Sequence, residues 1–174
     1  KAGRSGGRFW GGGSIRRKKA FGQFEPPQLF NHVSAMVAAN RYDPLLLDAY
    51  SEQDWNTLNN TLEHARDLNL AYAGVKQLQG KYLVQDRVSG KVFESPQFVY
   101  MMIGACLFAK YPEAIRLDYV QRFYEAASTH KFSLPTPIMA GVRTPTRQFS
   151  SCVLIECDDT LDSVNATTSS IVNY

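Results

Sequence analysis

The sequence predicts a mainly α-helical chain that leads into one strand and one further helix, the opening of an α/β arrangement. Three observations predict this fold class. Apolar residues recur at helical spacing over most of residues 28–128, prolines and a glycine interrupt that pattern after residue 130, and a short apolar run followed by a helical segment comes last. Because a lone strand needs neighbours, the strand indicates a sheet that this chain only begins.

The first helices are predicted from their caps and their apolar spacing. Pro26-Pro27 suits a first helical turn, Asp43-Pro44 restarts a helix, and Ser51 with Asp54 three residues later gives a capping-box pattern. The predicted helical segments run to about residue 40, over residues 45–50, from residue 51 to about residue 68, and over residues 70–78.

The middle of the chain combines a turn with the most apolar helix. Residues 85–95 alternate around Ser89-Gly90, which predicts a small hairpin. Ser95-Pro96 then caps a strongly apolar helix to about Ala109, which is expected to be buried on nearly all sides. Pro112 begins the next helix, which is amphipathic.

The pattern changes after residue 130. A strand and an ordered loop are predicted there because a continuous helix is excluded by Pro135, Pro137, Gly141 and Pro145. The apolar run Val153-Leu154-Ile155 predicts a strand over residues 149–157 that is buried on both faces. Asp158-Asp159-Thr160 then opens a helix over residues 161–172.

Composition excludes several classes of protein. Of the 174 residues, 44% are hydrophobic and 20% are charged, which is typical of a globular domain rather than a disordered chain. Three cysteines are too few for a disulfide scaffold. The best candidate for a membrane span, residues 95–109, is too short to cross a bilayer, and no secretory signal is visible. The sequence therefore predicts no membrane association and a reducing, cytoplasmic location.

Residues 1–14 are predicted to be a disordered Gly/Arg-rich head outside the fold. They hold six of the twelve glycines and offer almost nothing to bury. Residues 1–20 carry seven Lys and Arg and no acid, so the rest of the chain is mildly acidic, which argues against nucleic acid as the main partner. Two interpretations stay open: a tag or linker, or an RNA-associating head on a non-enzymatic helical binding module.

Three runs of residues carry a resemblance to a known family. They are residues 17–27 (RKKAFGQFEPP), residues 81–87 (KYLVQDR) and, above all, residues 133–162, which include SLPTPIM and GVRTPTRQFSSC. From about Arg16 to Tyr174 the chain resembles the large (alpha) subunit of class I ribonucleoside-diphosphate reductase. A match of that length is far more specific than a short motif.

This resemblance implies a ten-stranded α/β barrel that is preceded by a helical region and by a nucleotide-binding ATP cone. On that basis residues 15–131 form the helical N-terminal region, and residues 132–174 form the start of the barrel with its first strand and helix. The resemblance also implies that most of the ATP cone and the later barrel segments are missing from this chain. We therefore expect the isolated chain to be inactive.

The resemblance also implies an activity and its partners. The reaction is the reduction of ribonucleoside diphosphates to deoxyribonucleoside diphosphates for DNA synthesis. The family uses a radical generated in the small (beta) subunit, and ATP or deoxynucleoside triphosphates as allosteric effectors. Its further partners are a second large subunit in a homodimer and thioredoxin or glutaredoxin as reductant. This chain itself is expected to bind no cofactor and no metal.

Six residues take site roles from the resemblance. Cys152 corresponds to one thiol of the redox pair, and two thiols that form a disulfide supply the electrons and protons for the reduction. The hydroxyls at the substrate's ribose and phosphates correspond to Thr136 and Ser151, and the specificity-effector site at the dimer interface corresponds to Asp159, Thr160 and Leu161. The alternatives are ordinary turn capping for the two hydroxyls and a plain helix N-cap for the last three.

Other candidate residues are expected to be structural. Cys106 and Cys157 are predicted to lie in the core. Lys18 is expected to be a solvated lysine, because the domain that it would serve is absent. No metal or catalytic role is predicted for the three histidines, whose spacing suits neither, at His32, His64 and His130.

Overall fold

The computed structural model describes residues 26–173, and this part of the chain is mainly helical. Residues 1–14 and Lys18 lie outside the described residues, so the predictions for them stay predictions. The α-helices are α1 (Leu29–Ala38), α2 (Leu45–Ala49), α3 (Glu52–Thr61), α4 (Tyr72–Gln77), α5 (Pro96–Phe108), α6 (Glu113–Ser128), α7 (Thr136–Gly141) and α8 (Leu161–Asn173). A 3₁₀-helix (His64–Asn69) precedes α4, and a π-helical turn (Leu78–Tyr82) follows it. Within residues 26–173, no helix is long and apolar enough to cross a bilayer.

Helix α5 lies at the centre of the core. Nine of its thirteen residues are buried, and its N-terminus is capped as predicted, because Ser95 Oγ accepts a hydrogen bond from the Phe98 amide. Helix α6 packs along it. A glycine is needed where the two helices approach, since a Cβ atom on Gly104 would lie 2.9 Å from Cδ1 of Phe123. The predicted burial of this helix on nearly all sides is confirmed.

Helices α1 and α3 pack together and begin at well-satisfied N-termini. Ser51 Oγ accepts from the Asp54 amide at 3.2 Å, and an Asp54 carboxylate oxygen accepts from the Ser51 amide at 2.9 Å, which is the predicted capping box. At the start of α1, the Leu29 amide donates to Asn59 Oδ1 of α3 at 3.0 Å. The side chain of one helix therefore completes the end of the other.

Helix α3 ends earlier than its apolar spacing predicts. It stops at Thr61 instead of continuing to about residue 68, and a 3₁₀-helix takes over after a two-residue break. The Glu63 amide donates to the Tyr124 hydroxyl of α6 at 2.8 Å. A tertiary hydrogen bond thus takes the amide that a continuing helix would have used, and it overrides the local preference.

The predicted small hairpin is confirmed in reduced form. Gln85 and Val92 form an isolated antiparallel bridge, and Gly90 closes the turn with a positive φ of 67°. The Asp86 carboxylate accepts from the Val88 amide at 2.9 Å and from Ser89 Oγ at 2.8 Å, which satisfies the turn from within.

The segment after residue 130 contains a short helix where a strand and an ordered loop are predicted. Helix α7 forms because Pro135 is its N-cap residue and Pro137 lies in its first turn, where no backbone N–H is needed. Met139 and Gly141 of this helix are buried against the helical body. The prolines exclude a long helix, as expected, but they favour the start of a short one.

The prediction of a strand buried on both faces over residues 149–157 is wrong for this chain. No ladder forms there within the described residues, and Leu154 is 97% exposed. The reason is that no described segment pairs with this backbone, and a strand alone is not stable in water. Cys157, predicted to be core, is exposed for the same reason. Helix α8 forms as predicted, with none of its residues buried.

Candidate functional site

A buried arginine fastens the motif segment (residues 133–162) to the helical body, which is formed by the preceding helices α1 to α6. Arg143 Nε donates to both carboxylate oxygens of Glu94, at 3.1 and 2.9 Å, and a second contact from Nη2 completes the ion pair. Arg143 Nη1 donates to the carbonyl oxygen of Met139 and Nη2 to that of Tyr82, each at 2.7 Å. Neither charged side chain is accessible to solvent. The ion pair therefore joins three separate segments.

Glu94 collects further donors around the same point. The Val84 amide donates to it at 2.6 Å and the Tyr42 hydroxyl at 2.5 Å. The Tyr42 hydroxyl oxygen also lies 3.3 Å from Nε2 of His32. We call His32, Tyr42, Glu94 and Arg143 the Arg143 cluster. A buried charge is tolerated only when it is paired and hydrogen bonded, and this cluster meets that requirement.

Burial changes the acid–base properties of the cluster. Burial, followed by the Glu94 carboxylate, raises the pKa of Tyr42 well above its ordinary value. Burial lowers the pKa of His32 to about 4, outweighing the opposing effect of Glu94. His32 also packs on the ring of Phe98, with 4.6 Å between the ring centroids. His32 is therefore neutral at neutral pH.

We expect this buried histidine to make the folded chain sensitive to acid. Below about pH 6.5 the unfolded chain binds a proton at His32, whereas the folded chain excludes it until about pH 4. As the pH decreases from about 6.5 to about 4, the free energy of unfolding should therefore fall, by at most about 1.4 kcal/mol per pH unit. Urea unfolding at pH 7 and pH 5 measures the change. His32→Gln should lose this part of the pH dependence, and equal slopes for both proteins would contradict the assignment.

A second ion pair fastens the same segment from the outside. Arg147 Nη2 lies 2.7 Å from an Asp43 carboxylate oxygen, and the Asp43 amide donates to the carbonyl oxygen of Arg143 at 2.9 Å. The other carboxylate oxygen of Asp43 accepts from the Leu45 amide at 3.0 Å and so helps to start α2. Residues 139–147 are therefore held at both ends, directly before the segment that contains Cys152.

Cys152 and Ser151 lie five and four residues beyond Arg147, and both are exposed. The Ser150 hydroxyl donates to the carbonyl oxygen of Cys152 at 3.1 Å. The three cysteines of the described chain are free thiols. Cys152 is accessible to solvent, whereas Cys106 is partly buried. Burial raises the pKa of Cys106 to about 12. An accessible thiol can exchange with another thiol or disulfide, and a thiol with a raised pKa reacts slowly.

Thr136 is the first residue of α7, and its side chain is exposed. Its Oγ1 lies 3.2 Å from the Tyr82 hydroxyl, which also accepts from Gln77 Nε2 at 3.3 Å. These two hydrogen bonds lower the pKa of Tyr82. The contact joins the motif segment to the end of the π-helical turn.

The three predicted effector residues stand at the start of α8. Thr160 Oγ1 accepts from the Ser163 amide at 3.2 Å, and the Asp158 amide donates to Ser163 Oγ at 2.8 Å. Thr160 therefore acts as an N-cap, as its alternative interpretation predicts. Leu161 is 83% exposed and Asp159 is exposed as well. Within residues 26–173, no hydrogen bond joins these residues to Cys152 or Thr136.

Sequence reasoning missed the Arg143 cluster. Arg143 lies inside the motif run, and Glu94 is the last charged residue before the most apolar helix. The sequence shows both positions but does not indicate that the two side chains form an ion pair. No group of three His, Cys, Asp or Glu side chains that could hold a metal ion occurs in the described part of the chain. The site thus consists of an exposed thiol, exposed hydroxyls and a buried ion pair that positions their segment.

Comparison with known proteins shows which proteins this arrangement is similar to. Residues 68–147 match the model of the family described as ribonucleotide reductase, all-alpha domain. That range includes α5, α6 and both charged residues of the buried ion pair. This stretch of the chain is similar to that family.

Curated relatives agree with this family match, and their similarity extends over more of the chain. It is 62% identical over 158 residues to the ribonucleoside-diphosphate reductase subunit alpha of Haemophilus influenzae. It is 61% identical to the subunit alpha of reductase 1 of Escherichia coli and 51% identical to that of enterobacteria phage T4. Each match covers 91% of this chain and 21% of the relative, so the chain spans about a fifth of their length. The resemblance to the alpha subunit is confirmed.

Proposed function

We propose that this chain is the part of a ribonucleoside-diphosphate reductase alpha subunit that supplies one thiol of the substrate-reducing pair. The activity of the whole protein is the reduction of ribonucleoside diphosphates to deoxyribonucleoside diphosphates. The observation that carries the proposal is the 62% identity over 91% of the chain, with an exposed Cys152 in the motif segment. The alternative of an RNA-associating module rests on residues outside the described part of the chain, and no observation favours it.

The proposed chemistry at Cys152 balances in electrons and atoms. The ribose 2′-hydroxyl leaves as water, and a hydrogen takes its place on the carbon. Cys152 and a second thiol from a later part of the subunit each lose a hydrogen and form a disulfide, which stores the two oxidising equivalents. The radical that starts the reaction comes from the small (beta) subunit. Thioredoxin or glutaredoxin then reduces the disulfide for the next turnover.

The other site residues are proposed to bind nucleotides. Thr136 and Ser151 present exposed hydroxyls that can bond to ribose and phosphate oxygens. Asp159, Thr160 and Leu161 lie at the start of a thirteen-residue helix, a position that favours phosphate, and are proposed to bind the deoxynucleoside triphosphate effector. The exposed α8 is then proposed to contact a second alpha subunit.

The domain boundaries extend the same proposal. We propose that the helical region spans residues 15–131, and that residues 132–174 begin a ten-stranded α/β barrel whose other strands pair with residues 149–157; residues 15–25 and 174 lie outside the described part of the chain. This proposal is supported by the high exposure of that apolar segment, since a run such as Val153-Leu154-Ile155 is typical of a buried strand. A cytoplasmic location is part of the proposal, and it is supported by the rarity of stable disulfides in that reducing compartment.

A segment exchange tests the proposal. The matching 158 residues of the Escherichia coli alpha subunit are replaced by those of this chain, and the chimera is assayed with the beta subunit, thioredoxin and a ribonucleoside diphosphate. We expect repeated turnover, because 61% identity over 158 residues favours a compatible fold. A chimera that folds, binds the beta subunit and fails to reduce substrate would contradict the proposed function.

A further inference from the structure

The Tyr82 hydroxyl lies between the helical body and a proposed substrate group. Tyr82 ends the π-helical turn, where the Leu83 amide donates to the Leu78 carbonyl oxygen at 2.9 Å. Such widened turns often occur at functional sites. The ring of Tyr82 is half-buried against the core, while its hydroxyl reaches the exposed Thr136. This hydroxyl has no part in the chemistry described so far.

The direction of the hydrogen bonds follows from what each group can donate. The Gln77 amide nitrogen can only donate, so the Tyr82 oxygen accepts from it at 3.3 Å. The single proton of Tyr82 is then free to point at Thr136 Oγ1, 3.2 Å away. Either hydroxyl can be the donor in this contact. An anionic oxygen can only accept, so when Thr136 donates to such an oxygen, the Tyr82 proton can turn to Thr136 Oγ1. A hydroxyl that already accepts one hydrogen bond donates a stronger one.

The buried arginine connects the backbone segments that carry the two hydroxyls. Arg143 donates to the carbonyl oxygen of Tyr82 and to that of Met139, each at 2.7 Å. Met139 belongs to α7, the helix that Thr136 begins. One inaccessible guanidinium thus bonds to the main chain of Tyr82 and to that of the helix that begins with Thr136.

We propose that Tyr82 is a positioning residue for the substrate, which acts by aiming the Thr136 hydroxyl proton at an anionic oxygen of the nucleotide. The proposal rests on the proposed function, since it needs Thr136 to contact the ribonucleoside diphosphate. It adds a residue of the helical region to a site that is otherwise assigned to the motif segment.

The test uses Tyr82→Phe in the full-length chimera, with steady-state kinetics as the readout. Removing the phenolic hydroxyl leaves the ring and the main-chain contact to Arg143 in place. The KM for the ribonucleoside diphosphate should rise by about three- to tenfold, the usual worth of one neutral hydrogen bond, with kcat within about twofold. Tyr72→Phe is the matched control, because Tyr72 is an exposed tyrosine of the preceding helix, and its KM should be unchanged.

A double variant separates positioning from a general structural effect. In a Thr136→Val background, Tyr82→Phe should change KM no further, because the proton that it aims is gone. An unchanged KM in Tyr82→Phe, or an equal rise with and without Thr136, would overturn the proposal. Failure of the unmodified chimera to reduce substrate would instead overturn the proposed function, so the two failures are distinguishable.

Discussion

Changing Cys152 to serine in the full-length chimera is expected to abolish multiple-turnover reduction while folding and substrate binding are retained. Serine keeps the shape of the side chain and a hydrogen-bonding group, but it cannot form the disulfide that stores the two oxidising equivalents. The measurement is deoxyribonucleoside diphosphate formed per subunit over many turnovers. Thermal unfolding of the same preparation shows that the variant is folded.

Cys157→Ser is the matched control for this experiment. Cys157 is also a free thiol, five residues further along the same segment, and it has no proposed role. Turnover of this variant should equal that of the parent chimera. Full turnover in Cys152→Ser would remove the chemical basis of the proposed function and leave only the similarity to the reductase subunits.

Removing one partner of the buried ion pair is expected to give the largest loss of stability. Arg143→Met should lower the free energy of unfolding by about 3–5 kcal/mol, because it leaves the Glu94 carboxylate inaccessible and without its counter-charge. It also leaves the carbonyl oxygens of Tyr82 and Met139 without their donor. Urea unfolding of the 174-residue chain measures the difference.

Arg147→Met provides the comparison for the same change of side chain. Arg147 is 65% exposed and its partner Asp43 is 12% exposed, so solvent reaches the cation and the pair should contribute only about 1 kcal/mol. The two variants should therefore differ by at least about 2 kcal/mol. Equal losses would show that the inaccessible ion pair is not what holds the motif segment to the helical body.

The helices could be predicted because their signals are local. Ser51 with Asp54, and Ser95 before Pro96, fix helix starts by contacts within three residues. The end of α3 could not be predicted in this way. It depends on the Tyr124 hydroxyl, 61 residues away from the Glu63 amide that it binds. A single sequence contains no sign of which distant side chain will take that amide.

The candidate site divides along the same line. Cys152, Thr136 and Asp159 could be named because a long motif run resembles a known family, and their roles stay predictions. The Arg143 cluster could not be found, because Glu94 and Arg143 are 49 residues apart and neither has a local partner that marks it. The strand over residues 149–157 shows the opposite case. Its local preference is clear, but a ladder also requires a partner backbone.

The spacing of the Arg143 cluster has a consequence for synthesis on the ribosome. Tyr42 and Glu94 leave the exit tunnel well before Arg143, and translation at about 5–20 residues per second places about 2–10 s between the carboxylate and its counter-charge. During that interval Glu94 is without the counter-charge that its inaccessible position needs. The contact between Arg147 and Asp43 spans 104 residues, so it also waits for the later segment. The thiol-bearing segment can therefore be fastened only after both of its acidic partners have been synthesised.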